Sequence, residues 1–216
     1  TATIGEKLSF RRFQKLSGDV VVDYLHGNGR IGVIVAGNGA SDDAAKEALK
    51  NVAMQIAAMN PQYISRNDIS ADELAKMREI TIDSALNEPD TLPKPIQKDI
   101  FAEALSKNVL NDEDKAVYEE KQNDKYLFNF LSKEAKASLS EIALAKKAEI
   151  MENKIFNGLV EGRMSKQLKE VCLLDQTYVM AADGKQTVAK YLDEVSKEAG
   201  APVVLKKFVR FETGEG

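Results

Sequence analysis

Between Gly39 and Gly158 the chain runs for 118 residues without a glycine, while seven glycines crowd residues 5–39 and six lie between Gly158 and Gly216. Glycine lets the backbone turn through positive φ, so a long stretch without it favours helices, and glycine-rich ends favour short elements and tight turns. The sequence therefore reads as a helical territory flanked by two turn-rich ones. Prolines punctuate the helical part: Pro61 stands near its start, and Pro89, Pro93 and Pro95 cluster in NEPDTLPKP. Three prolines so close together cannot lie inside one helix, and they mark a corner.

In the first territory KLSFRRFQKL, GDVVVDYLHG and GRIGVIVAG are separated by Ser17-Gly18 and by Gly27-Asn28-Gly29. They read as an antiparallel meander whose second turn is an Asn-Gly hairpin. The period then changes: Ser41 is placed to cap a helix with Ala45, Leu49, Val52, Ile56 and Met59 on one face, ending before Asn60-Pro61. Near the C-terminus TVAKYLDEVSKEAG reads as a helix closed by Gly200, and PVVLKKFVRFE as a strand with Val204, Lys206, Phe208 and Arg210 alternating with Leu205, Lys207 and Val209. That strand is expected to join the meander. The fold class is α+β: a small antiparallel sheet with helices on one face, assembled from both ends of the chain and interrupted by a long helical-hairpin arm.

The domain boundaries that follow are a discontinuous sheet subdomain over 1–64 and 158–216, and an arm over 65–157 with a helical knob around 96–133. Ser70 and Glu73 have capping-box spacing, and Leu74, Met77, Ile80 and Leu86 mark a first limb of about 18 residues. Ala148, Met151, Ile155 and Leu159 mark the returning limb. Tyr126, Leu127, Phe128, Phe130 and Leu131 are too apolar for a solvated linker and are expected to pack on Ile100, Phe101, Ala104 and Leu105. Thirteen basic and eighteen acidic residues lie between Ala71 and Gly158, so the arm carries -5 and the rest of the chain +1, and the acidity belongs to the arm.

That balance gives no overall basic field for nucleic acid or an anionic membrane. One cysteine, Cys172, excludes an internal disulfide framework and a cysteine-built zinc site, and one histidine, His26, excludes most histidine-based metal or triad chemistry. No run of about 18 apolar residues is present to span a bilayer, and the N-terminal TATIGEKLSF has no apolar signal core. A cytoplasmic, reducing environment is expected, without catalytic residues, metal or cofactor. The first residue is Thr1, which suggests a processed or excised piece of something longer.

GNGRIG, residues 27–32, has the letters of a dinucleotide-binding loop, but the following IGVIVAG reads as a strand where that loop needs a helix. His26, beside this turn, reads as a surface donor or packing residue, with no second histidine to make it a catalyst. Cys172 in VCLLDQ reads as a buried small hydrophobe. Asp112, Glu113 and Asp114 read as a helix start rather than a calcium loop, since the interleaved glycine is missing. Arg163, Lys166 and Lys169 share a helical face that is either solvated or a docking patch for an acidic partner.

Several strings are more specific: IGEKLSFRRFQKL followed by GDVVVDYLHGNGRIGVIV, then NVAMQIAAMNPQYI, LVEGRMSKQLKEVCLLDQTYVM and FVRFETGEG. In this order they resemble bacterial elongation factor Ts, over about residues 4–64 and 158–216. The resemblance implies a guanine-nucleotide exchange factor that binds elongation factor Tu, the GTPase that delivers aminoacyl-tRNA, and promotes GDP release without covalent catalysis. Carried over by position, it implies partner contacts at Ile4 and Gly5, at His26 and Gly27 in HGNGR, and at Val179 and Met180 in QTYVM. No Thr-Asp-Phe-Val string occurs here, the family's terminal helix does not follow GEG, and residues 89–133 exceed the family's simple hairpin. The chain thus resembles the second sheet subdomain with an enlarged arm. No direct nucleic-acid or membrane partner is expected. The alternative function is a non-exchanging interaction or dimerisation module built on the arm, with a homodimer formed through it; a nucleotide-dependent enzyme resting on GNGRIG is a distant third.

Overall fold

The computed structural model describes Gly5 and residues 12–214. In chain order the regular elements are β1 (Val20–His26), β2 (Ile31–Gly39), α1 (Asp43–Met59), α2 (Ala71–Asn87), α3 (Lys94–Ser106), α4 (Asp112–Lys121), α5 (Lys133–Ala145), α6 (Lys147–Met151), α7 (Lys154–Val171), α8 (Val188–Ala199) and β3 (Val203–Glu212). They fall into two compact units. One is Ile69–Gln167, and the other combines the residues up to Asp68 with those from Leu168 onward.

In the second of these, the three strands form an antiparallel sheet in the order β1-β2-β3. Val22 faces Val35, Tyr24 faces Val33 and His26 faces Ile31 across the first pair. The C-terminal strand joins as expected, with Val35 opposite Phe208 and Ile34 opposite Val209. Strict alternation along β3 does not hold. Ala36 pairs with Lys207 and Gly37 with Leu205, so Lys206 is an extra residue in a bulge. The bulge brings Leu205 and Phe208, three apart in sequence, onto the same core. Gly39 ends β2 at φ +101, and a Cβ there would lie 2.0 Å from the Pro202 carbonyl oxygen, so no other residue fits. The expected first strand is not found in its described part: residues 12–17 are irregular and mostly exposed, and the rest of KLSFRRFQKL lies outside the described residues. That string has no β-branched residue and carries several charges, which leaves little to hold it on a half-buried sheet.

Helix α1 packs on the sheet through Ala45, Leu49, Val52 and Ile56, all fully buried. Its cap is Asp42 rather than Ser41: the Asp42 carboxylate accepts from Ala45 N–H at 2.8 Å. It ends at Asn60, whose left-handed φ of 46° turns the chain before Pro61. Helix α8 is capped by Thr187, closed by Gly200 at φ +65, and buries Val188 and Leu192 in the same core.

The helical unit starts at the Ser70–Glu73 capping box, which is fully formed. Its buried face on α2 is Ile82, Ala85 and Leu86, and Ile80, expected inside, is 69% exposed. The proline cluster forms a 3-10 turn at Pro89–Thr91 and the start of α3, where the missing N–H groups cost nothing. On the return, the expected single limb is three helices. Lys146 interrupts between α5 and α6, and Asn153 restarts the chain as α7, its Oδ1 accepting from Ile155 N–H (2.9 Å) and Phe156 N–H (3.2 Å). This restart rotates the apolar face: Ile150, Phe156 and Val160 are buried, while Ala148, Met151 and Ile155 are exposed.

Leu127, Phe128 and Leu131 pack inward with Ile100, Phe101 and Ala104 as expected, whereas Leu105, Tyr126 and Phe130 stay exposed. Phe101 stacks on Tyr118 with centroids 4.1 Å apart and meets Phe128 edge-on at 5.6 Å. These residues do not form a core of their own. They belong to the same buried cluster as Leu86, Leu139, Phe156 and Val160, so α2, α3, α5 and α7 share one interior.

Candidate functional site

Two turns of the sheet unit carry the residues singled out from the sequence. The β1–β2 hairpin is closed by Arg30 N–H donating to the Gly27 carbonyl at 3.3 Å, with Gly27, Asn28 and Gly29 at φ +60, +57 and +83. Three consecutive positive φ angles explain the Gly-Asn-Gly sequence. GNGRIG therefore sits in a strand-turn-strand context, which leaves no helix N-terminus to hold a pyrophosphate.

His26, the last residue of β1, is exposed beside exposed Gly27. Tyr24 lies two residues earlier on the same strand face, with its hydroxyl 3.0 Å from His26 Nδ1 and its ring centroid 5.9 Å away. Tyr24 also packs against the core of the unit, so a half-buried phenol anchors an exposed imidazole. When the Tyr24 O–H donates to Nδ1, Nε2 carries the ring proton and is left as a donor.

The second turn is Tyr178–Ala181, closed by Ala181 N–H donating to the Tyr178 carbonyl at 3.0 Å. Val179 and Met180 occupy its two central positions and are 45% and 46% exposed. Turn corners ordinarily carry Gly, Asn, Asp or Pro. Val179 and Met180 thus place two large apolar side chains, held out of the core, at a solvent-facing corner. Tyr178 points the other way: it is buried and stacks on Tyr191 with centroids 4.2 Å apart and planes 13° off parallel. Burial, reinforced by the neighbouring Tyr191, raises its phenol well above the ordinary tyrosine range.

The turn is held from α1. Gln55, fully buried, accepts from Val179 N–H at 2.8 Å and donates from Nε2 to Gln176 Oε1 and to the Thr177 carbonyl, both at 3.1 Å. Gln176, also buried, passes the link on by donating to the Glu170 carbonyl at 2.7 Å.

Gly5 is exposed at φ +70, and a Cβ there would meet no atom within 4 Å; Ile4 lies outside the described residues. Cys172 is buried, and that burial pushes its thiol up. Asp112, Glu113 and Asp114 form the first turn of α4, capped by Asn111. Arg163 donates to Thr91 Oγ1 at 2.6 Å, while Lys166 and Lys169 are exposed, so the three do not act as one free face. Among the described residues no three His, Cys, Asp or Glu side chains gather as metal ligands, and no helix is long and apolar enough to cross a membrane.

The sequence model of the family described as Elongation factor TS matches residues 1–129 and 102–215. The chain belongs to the elongation factor Ts family. Proteins named Elongation factor Ts from Clostridium novyi (strain NT) and Clostridium perfringens (strain ATCC 13124) are each 35% identical over 218 residues, and one from Clostridioides difficile (strain 630) is 35% identical over 217. Each match covers 100% of this chain and 51% of the relative, so the chain spans about half the length of the curated elongation factor Ts proteins it matches.

Neither Tyr24 nor Gln55 carries a turn or charge signal of its own within the strings that mark this chain as an elongation factor Ts family member. Gln55 left a trace: it stands three residues after Val52 and seven after Ala48 on the apolar face of α1, a polar residue at a core position. Tyr24 left a trace in its period-two spacing from His26.

Proposed function

We propose that this chain acts in translation elongation by binding elongation factor Tu and promoting release of its GDP, as a cytoplasmic nucleotide-exchange factor and not as a catalyst of bond-making chemistry. The observation that carries this reading is the Tyr178–Ala181 turn with its exposed Val179–Met180 corner. A partner that covers both side chains gains roughly 1.5 to 3 kcal/mol for each if desolvation is complete. The hairpin adds a polar contact through His26, with Gly27 beside it, and the Ile4–Gly5 segment is a further contact that the family resemblance implies.

Exchange of this kind is thermodynamic linkage. A factor that binds the nucleotide-free GTPase more tightly than the loaded form weakens nucleotide by the same factor, and nucleotide reciprocally weakens the factor. It requires a surface that discriminates two states of the partner, with no metal, cofactor or nucleophile of its own. The test is the rate of GDP release from elongation factor Tu with and without this chain, alongside direct binding of the two proteins. Faster release that depends on chain concentration is the expected result; unchanged release without binding would overturn the reading.

A second reading, an interaction or dimerisation module, draws on the helical unit, where Tyr126 is 59% and Phe130 52% exposed. Lys125 and Lys121 lie over these two rings at 5.6 Å and 4.9 Å, which partly covers them. Sedimentation of the chain decides it: a dimer broken by Tyr126→Ser and Phe130→Ser favours this reading, and a monomer opposes it.

A further inference from the structure

We infer that Gln55 is a positioning residue for partner binding: its buried carboxamide holds the Val179–Met180 corner in the shape that a partner meets. The inference rests on the proposed reading of that corner as the contact with elongation factor Tu.

The argument starts from cost. A primary amide taken out of water loses more than it gains unless both N–H groups and its oxygen find partners. At position 55, seven residues from Ala48 on the apolar face of α1, a leucine or methionine would bury without that cost. What neither could do is bond three successive stations of a loop. Gln55 does so, with Gln176 Oε1, the Thr177 carbonyl and Val179 N–H all within 3.1 Å of its two polar atoms. All its strong hydrogen-bonding capacity on Nε2 is committed to residues 176–177, and its oxygen to the first corner residue.

The remaining ties complete the hold. Gln176 donates to the Glu170 carbonyl at 2.7 Å and accepts on its own carbonyl from Val188 N–H at 3.0 Å. Tyr178 N–H donates to the Gln186 carbonyl at 2.8 Å, and the Tyr178 ring is clamped on Tyr191. Residues 176–178 are thus fixed by backbone and ring from the α8 side. Val179 N–H, however, has Gln55 as its partner, and Val179 is where the chain turns outward. A corner ordered before binding avoids the entropy loss of ordering it on binding, and this ordering is the contribution we assign to Gln55.

The test uses the intact chain. Residue-resolved hydrogen exchange of Gln55→Met should show the Val179 amide losing about tenfold or more of its protection while amides of α1 and β2 keep theirs. Affinity for elongation factor Tu should fall about tenfold. In a Val179→Ala, Met180→Ala background the same substitution should cause no further loss, because the side chains it positions are gone. A full, additive loss in that background would overturn the positioning role, since a merely structural effect adds. If Gln55→Met does not fold, Gln176→Met, which removes one acceptor of Gln55 and leaves α1 unaltered, is read in the same three ways. Failure of the unmutated chain to bind overturns the reading of the corner as a contact, and the exchange rates then decide alone whether Gln55 orders it. Binding that Gln55→Met leaves unchanged overturns the positioning role and spares that reading.

Discussion

Asp114, in the first turn of α4, accepts two hydrogen bonds from Ser132, the residue that caps α5: one from the amide N–H at 2.8 Å and one from the hydroxyl at 2.7 Å. Both helix starts are thereby tied to one buried carboxylate, and Ser132 Oγ accepts in turn from Ala135 N–H at 3.1 Å. Removing the carboxylate leaves a backbone donor and a hydroxyl without their partner in a partly buried place. Asp114→Ala is therefore expected to destabilise the helical unit by about 2 to 3 kcal/mol, read by denaturant unfolding. A loss under about 0.5 kcal/mol would mean that water replaces the carboxylate at no cost.

His26→Ala is expected to weaken binding to elongation factor Tu by about 1 to 2 kcal/mol, with little change in melting temperature because the side chain is exposed. Tyr24→Phe keeps the ring in the core and removes only the hydroxyl that meets Nδ1. It should weaken binding in the same direction by a smaller amount, and by nothing further when His26 is already alanine. Calorimetric titration of the two single variants and the double variant decides between coupling and independence.

Residues 90–133 supply Ile96, Ile100, Phe101, Leu127 and Phe128 to the interior they share with Leu86, Leu139, Phe156 and Val160. Replacing them with a short Gly-Ser bridge is expected to strip that interior, at roughly 1.5 to 3 kcal/mol for each large side chain left bare. The shortened chain should bind a hydrophobic dye and lose a cooperative transition for the helical unit. A sharp transition in the shortened chain would show that the limbs close on each other without the insert.

Glu103 on α3 receives hydrogen bonds from Lys107 and from Lys146, and these hold its carboxyl below the ordinary value of 4.5. A carboxylate depressed on folding contributes stability that is complete above its unfolded pKa and is lost as pH falls through the lower folded one. Acid unfolding of the helical unit as pH falls below the ordinary value of 4.5 should therefore become shallower in Glu103→Gln. Because Glu103 is solvated, the effect is small and weakens with added salt, and an unchanged slope would show that the pair contributes nothing measurable.

Local rules were legible wherever one residue's chemistry decides the backbone. The glycine gap, the Gly27-Asn28-Gly29 turn, the Ser70–Glu73 box, the proline corner and the Gly200 stop all appear where their sequence signals stand. The family, too, was readable from strings along the chain. What the sequence left open depends on which face another element covers. Asp42 displaced Ser41 as a cap, the restart at Asn153 rotated the buried stripe of the returning limb away from Met151 and Ile155, and one bulge at Lys206 reset the alternation of β3. Each changes geometry by a single residue, and a one-residue offset swings a side chain about 100° around a helix or to the opposite face of a strand. Ile4 and Gly5, His26 and Gly27, and Val179 and Met180 are candidates that the strings propose, and the turn that carries the last two is bonded to Gln55, 124 residues away from Val179. Periodicity records which side of its own element a residue takes, and only packing brings α1 to that turn.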